Sequence, residues 1–180
     1  NPFDRSNPEK FEEKLDDIIQ NCQPNAIGIN GPNPKTQKFY KRLQEIIHKK
    51  QIVDSRGHNI PIIYVEDEVA IRYQNSDRAA QEFPNKPPLV KYCIALGRYM
   101  HSPLSEYGNL STEELGSLAI HPHQSLLSRE KLLKALETAF VDIVNLVGVE
   151  VNKSTDNPYY ASVLKYVSGF GKRKAIDFLE

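Results

Sequence analysis

Apolar residues recur at helical spacing at Phe11, Leu15, Ile18, Ile19 and Cys22. The pattern predicts a first helix capped by Asn7, with Pro8 at its first position and Pro24-Asn25 at its end. Ala26 to Ile29 is a short apolar run closed by Asn30-Gly31-Pro32, the pattern of a strand. A second helix is expected from Asn33-Pro34 onward, burying Phe39, Leu43, Ile46 and Ile47. After a turn at Gly57-His58-Asn59, the run Ile60 to Val65 predicts a strand of the fully buried kind. Helix, strand, helix, strand is the order of a parallel pair in an α/β layer.

The second half has a different texture. Ser76 opens a short helix that stops at Phe83-Pro84, and another helix is predicted from Pro88 to Met100. Ser128 caps a long helix whose apolar positions are Leu132, Leu136, Ala139, Phe140, Ile143, Leu146 and Val147. Asn152 to Asn157 reads as a loop. No strand is predicted after about residue 110, which puts a domain boundary between Leu110 and Leu118. The fold class expected is therefore α/β followed by all-α.

The end of the chain carries the most specific chemistry. Tyr166-Val167-Ser168-Gly169-Phe170-Gly171-Lys172-Arg173-Lys174-Ala175 takes a helical run into a Gly-x-Gly turn and out into a basic helix. Glycine allows φ > 0 and close backbone approach, and N–H groups at a helix start favour a phosphate. Val163, Leu164 and Val167 on one side, and Ala175, Ile176 and Leu179 on the other, can pack two short helices with the turn at the apex. That is the outline of a helix-hairpin-helix that grips a nucleic-acid backbone without reading bases. The candidate contact is Gly169 and Gly171 for the turn, Lys172 and Arg173 for charge, and Lys174 beside them. The competing reading is a hairpin kept for packing, with solvated lysines.

Composition narrows the picture. A chain of 180 residues can bury about 70% of its unfolded surface, enough for one sizeable domain or two small ones. Its formal net charge is zero, so polyanion affinity must be local. Ala161 to Ile176 supplies such a patch, with four basic residues and no acidic one. Cys22 and Cys93 sit far apart in apolar stretches and read as buried thiols, with no disulfide framework. No run approaches membrane-span length. A start at Asn1 without Met, and an end at Glu180 in a helix barely begun, suggest an excerpt of a longer protein.

The order of motifs resembles a known family. Ala26-Ile27-Gly28-Ile29-Asn30-Gly31, Tyr73 to Pro84, Ile94 to Tyr99 with Ser102-Pro103-Leu104, Ile120-His121-Pro122-His123-Gln124, Asp142-Ile143-Val144-Asn145, Val147 to Asn152 and Val167-Ser168-Gly169 occur in sequence. Together they are similar to the Tex-like transcription elongation factors. The resemblance is closest to the eukaryotic branch of that family, elongation factors that are also histone chaperones; bacterial Tex proteins are more distant. It implies an incomplete RNase H-like (YqgF) layer with parallel strands over residues 1–112, then the N-terminal part of a helix-hairpin-helix domain over residues 113–180. Three opening strands would precede Asn1. It also implies a nuclear, chromatin-associated protein with histones and the RNA polymerase II machinery as partners, without cofactor, membrane or small-molecule substrate.

RNase H-like nucleases hold metal ions between three or four carboxylates. After Ala26 to Ile29 come Asn30, Gly31, Pro32 and Asn33, with no acid. Lys91 stands near the position that the resemblance aligns with a metal-binding acid, and a lysine repels Mg²⁺. The module is therefore expected to be non-enzymatic, with no catalytic or metal residue. Glu66-Asp67-Glu68 reads as a solvated strand end or cap, and His121 and His123, with no third ligand nearby, read as loop residues. Two other classes stay open: a metal-dependent nuclease or junction resolvase, and a protein-interaction module without DNA contact.

Overall fold

A computed structural model describes residues 8–54 and 56–179, so the expected Asn7 cap lies outside the described residues. The chain divides into two compact units, Asn1–Asp67 and Glu68–Glu180.

The first unit is the α/β part. Helices α1 (Pro8–Cys22) and α2 (Pro34–Lys50) alternate with strands β1 (Ile27–Asn30) and β2 (Ile62–Val65). The strands pair in parallel, Ile27 opposite Ile62 and Asn30 opposite Val65, as the element order predicts. β2 starts two residues later than the apolar run because Pro61 has no N–H for a ladder; its carbonyl instead accepts from Ile27 N at 2.9 Å. Nor is β2 fully buried: Val65 is enclosed, but Ile63 and Tyr64 are exposed, and Tyr64 stacks on Tyr40 at 5.2 Å. The helices start where the sequence says they should. Asn33 Oδ1 accepts from Lys35 N and Thr36 N, both at 3.0 Å, while Thr36 Oγ1 accepts from Asn33 N at 2.8 Å. This reciprocal cap satisfies donors that an uncapped helix leaves open. Ile19, Ile46, Ile47, Ile52 and Ile60 form the core, joined by Phe11, Leu15, Ile27 and Ile62. The turn at Gly57 is closed by Asp54, whose carboxylate accepts from Arg56 N and His58 N at 2.8 Å; those bonds lower its pKa, the His58 bond foremost.

The second unit is all-α among the described residues. It runs through α3 (Glu68–Tyr73), α4 (Asp77–Glu82), α5 (Pro88–His101), α6 (Pro103–Gly108) and α7 (Thr112–Gly116). After a 3₁₀ turn at Gln124–Leu126 come α8 (Arg129–Val147), α9 (Val151–Asp156), α10 (Pro158–Ala161), a second 3₁₀ turn at Leu164–Tyr166, and α11 (Gly171–Asp177). Ser76 and Ser128 cap α4 and α8 as expected, through Ala79 N at 3.1 Å and Lys131 N at 3.5 Å. The core joins Val69, Leu110, Leu115, Leu118 and Phe140, with Tyr99, Tyr107 and Tyr166 packed against it.

Three expectations need correction here. Residues 151–156 form a helix, not a loop, because Ser154 is buried and its hydroxyl is turned back onto the Glu150 carbonyl at 3.0 Å. Of the expected stripe of α8, Phe140 is buried and Leu132 and Leu136 are half-buried, but Ala139, Ile143, Leu146 and Val147 face solvent; the other buried residue is Val144, which the stripe did not include. Cys22 and Cys93 are exposed thiols; on α5 the buried positions are Ala95 and Leu96, which turns Cys93 outward.

A candidate nucleic-acid backbone contact

Residues 163–177 fold into a turn between short elements rather than between two full helices. Val163 and Leu164 are buried ahead of it and Ala175 behind it, whereas Ile176 and Leu179 are exposed. The helical run expected before the turn is broken into α10 and the 3₁₀ turn. Tyr166 stacks its ring on Phe140 of α8 at 4.9 Å, within 17° of parallel, and that contact anchors the approach to the glycines.

The turn closes through Phe170 N donating to Val167 O at 2.9 Å. Gly169, its third residue, has φ +82, as a type II turn requires. Gly171 follows with φ +63, also in the left-handed region. A Cβ at either glycine would meet nothing within 4 Å, so the constraint is backbone conformation and both glycines lie open. Lys174 Nζ donates to Gly169 O at 2.9 Å, bracing the turn from within. Lys172 and Arg173 are exposed and make no ion pair among the described residues. Lys165 lies deeper, its ammonium donating to Gly108 O at 2.9 Å; burial, with the Lys172 charge, lowers its pKa.

All five candidate residues thus fall in one short segment, with distinct placements. Gly169 and Gly171 shape the turn and the step behind it, Lys172 and Arg173 are exposed, and Lys174 is tied back to the turn. The sequence reading named no role for Asn145, whose side chain reaches the turn from α8. Its Oδ1 accepts from Ser168 N at 3.0 Å, and its Nδ2 donates to Tyr166 O at 3.2 Å and to Val141 O.

The other chemistry-bearing groups have local partners. Asn30 Nδ2 donates to Asp67 Oδ2 at 3.4 Å. Glu68 Oε1 accepts from Ala119 N at 2.7 Å, a long-range bond in place of the local cap expected of the acidic triplet. His123 N donates to His121 Nδ1 at 3.0 Å, and Gln124 Oε1 takes the N–H groups of Ile120 and His121. No group of three or more His, Cys, Asp or Glu among the described residues is arranged to hold a metal.

One ionic network in the second unit was missed. Glu106, fully buried, pairs with Arg78 at 3.3 Å, and Glu82 pairs with Arg98 at 2.6 Å and accepts from Tyr73 OH at 2.7 Å. Arg78 lies over the Tyr73 ring at 4.5 Å, and Arg98 lies 5.1 Å from the Tyr159 ring. Burial, then Glu106, pushes the Tyr159 hydroxyl far above its ordinary value. The Arg78–Glu82 spacing of four was the available signal.

Residues 1–111 match the family described as YqgF, Holliday-junction resolvase-like of SPT6. Residues 113–180 match a helix-hairpin-helix motif. The transcription elongation factor SPT6 of Saccharomyces cerevisiae is 84% identical over 180 residues, 100% of this chain and 12% of that protein. The same factor in Candida glabrata is 79% identical, again over 100% of this chain and 12% of the relative. In Aspergillus fumigatus, the transcription elongation factor spt6 is 42% identical over 187 residues, 98% of this chain and 13% of the relative. The chain thus spans about one eighth of the length of the curated relatives it matches.

Proposed function

The chain belongs to the YqgF family described as Holliday-junction resolvase-like of SPT6, and we propose that it is a non-enzymatic scaffold module of a nuclear transcription elongation factor and histone chaperone. In this reading the parent protein works on chromatin with RNA polymerase II, and the border between the YqgF-like part and the helix-hairpin-helix part lies at 112/113. The hairpin supplies a weak contact to a DNA backbone, without sequence preference. The observation that carries it is the open turn with Gly169 at φ +82 and Gly171 at φ +63, beside the exposed Lys172 and Arg173, which make no ion pair among the described residues.

Salt-titrated binding to labelled single- and double-stranded DNA tests the contact, with the wild-type chain compared with an equally folded Gly171→Val variant. A hairpin touching two to four phosphates gives a Kd of about 10⁻⁴ to 10⁻⁶ M and a log–log salt slope of about −2 to −4. The variant loses that slope. Absence of binding by both, or identical binding, overturns the contact.

The lack of catalysis is supported by Asn30, whose amide is engaged with Asp67, and Asn33, which serves as a helix cap. Incubating the chain with a four-way junction and Mg²⁺ or Mn²⁺ is expected to leave the DNA intact; metal-dependent cleavage would restore the nuclease reading. A purely protein-binding module is favoured by one feature, the exposed Ile143, Leu146 and Val147 of α8 in a chain of zero net charge. It predicts weak DNA affinity with almost no salt dependence.

A further inference from the structure

We propose that Asn145 is the positioning residue of the hairpin contact, holding the glycine turn in the shape that meets a nucleic-acid backbone. The inference rests on the hairpin being such a contact. A turn with Gly169 at its third position and Gly171 just behind it is loose, and a loose loop must be ordered on binding at an entropic cost. This turn has one backbone bond of its own, Phe170 N to Val167 O, and an exposed lysine brace from Lys174. Asn145 adds the restraint that comes from a rigid element. It stands on α8 one position beyond buried Val144, on a helix that also carries Phe140 under the Tyr166 ring.

The side chain fits the turn on both edges. Its oxygen meets the Ser168 N–H at 3.0 Å and its nitrogen meets the Tyr166 carbonyl at 3.2 Å, so the bonds bracket Val167, the first residue of the turn. Turning the amide over would set nitrogen against N–H and oxygen against carbonyl, so both bonds require the orientation observed. Alanine offers neither group, and aspartate keeps only the acceptor. Asparagine is a poor choice inside a helix on propensity alone; here its third bond, to Val141 O, lets it stay helical while reaching across 21 and 23 residues.

The test compares the wild-type chain with Asn145→Ala and with a Lys172→Ala/Arg173→Ala variant. Three quantities are read: Kd for a labelled DNA duplex well below melting, hydrogen-exchange protection of the Ser168 amide, and melting temperature. Asn145→Ala is expected to lose Ser168 protection and to weaken duplex binding about fivefold to tenfold. The double variant is expected to weaken binding while keeping Ser168 protected. If Asn145→Ala lowers the melting temperature but binds duplex as the wild type does, Asn145 is merely structural and the proposal falls. Retained Ser168 protection in Asn145→Ala also overturns it. If the double variant binds like the wild type, the hairpin is not the contact, and both readings fall together. Should Asn145→Ala not fold, Ser168→Pro removes the N–H that Asn145 accepts. Val167 at φ −67, ψ 130 already has the conformation of a residue before proline, and the second position of a type II turn favours proline. That variant is expected to show the same loss, and unchanged affinity would overturn the proposal.

Discussion

Tyr73, together with Tyr159 and Tyr166, carries alkaline pH into the second unit. Burial first, then the hydrogen bond to Glu82, raises its hydroxyl from 10.0 to about 12. The folded state therefore favours the neutral form. The stabilisation is complete below pH 10, where the unfolded phenol would begin to ionise, and is lost as pH rises toward 12. Melting temperatures at pH 8, 10 and 12 are expected to fall across that window, and Tyr73→Phe to lessen the fall, with Tyr159 and Tyr166 supplying the rest. The same variant is expected to cost about 1–2 kcal/mol at neutral pH for the lost bond to a charged acceptor. Glu82 works at the other end. Burial alone would raise its carboxyl, but the bonds from Tyr73 and Arg98 and the arginine charges hold it below the ordinary 4.5. Its contribution is present above that value and disappears as pH falls through the lowered one. Single residues were legible in the sequence when their role was local. The glycines needed φ > 0, and both have it. Asn145 was not legible as a clamp, because its partners lie 21 and 23 residues away.

At the scale of elements, helix starts were the most readable feature, since a cap is a contact within three residues. Asn33, Ser76 and Ser128 all cap where expected. Asn33→Ala is expected to lower the stability of the first unit by about 1 kcal/mol, read as faster hydrogen exchange in the first turn of α2. Strand limits were less readable. Pro61 cut the ladder short, and the exposure of Ile63 and Tyr64 could not be known from an apolar run alone. Helix α9 was missed because Asn, Ser, Thr and Asp compete for backbone bonds in turns; here the carbonyls of Glu150 and Tyr160 receive the Ser154 hydroxyl and keep it helical. The long helix α8 has apolar residues on more than one face, so periodicity named its residues without telling which face is covered.

In the whole molecule, packing and family matches divide the chain at different places. The compact units meet between Asp67 and Glu68, while the family matches meet between residues 111 and 113. The core of the second unit draws Val69, Tyr99 and Leu110 from one side of that family border and Leu115, Phe140 and Tyr166 from the other. Tyr159 reaches back to Arg98 in the same way. A fragment of residues 113–180 is therefore expected to give poorly dispersed amide spectra, and one of residues 68–180 to keep dispersed signals; a well-dispersed spectrum from the shorter fragment would show that its helices pack without α3 and α5. The α/β-then-helical order was legible because element order survives in the hydrophobic pattern, whereas the place where cores join depends on contacts between distant residues. The two exposed cysteines have a consequence at this scale. Cys22 belongs to the first unit and Cys93 to the second. Identical nitroxide labels on these two natural thiols would let dipolar spectroscopy measure the span between the units directly, with no residue of the chain replaced.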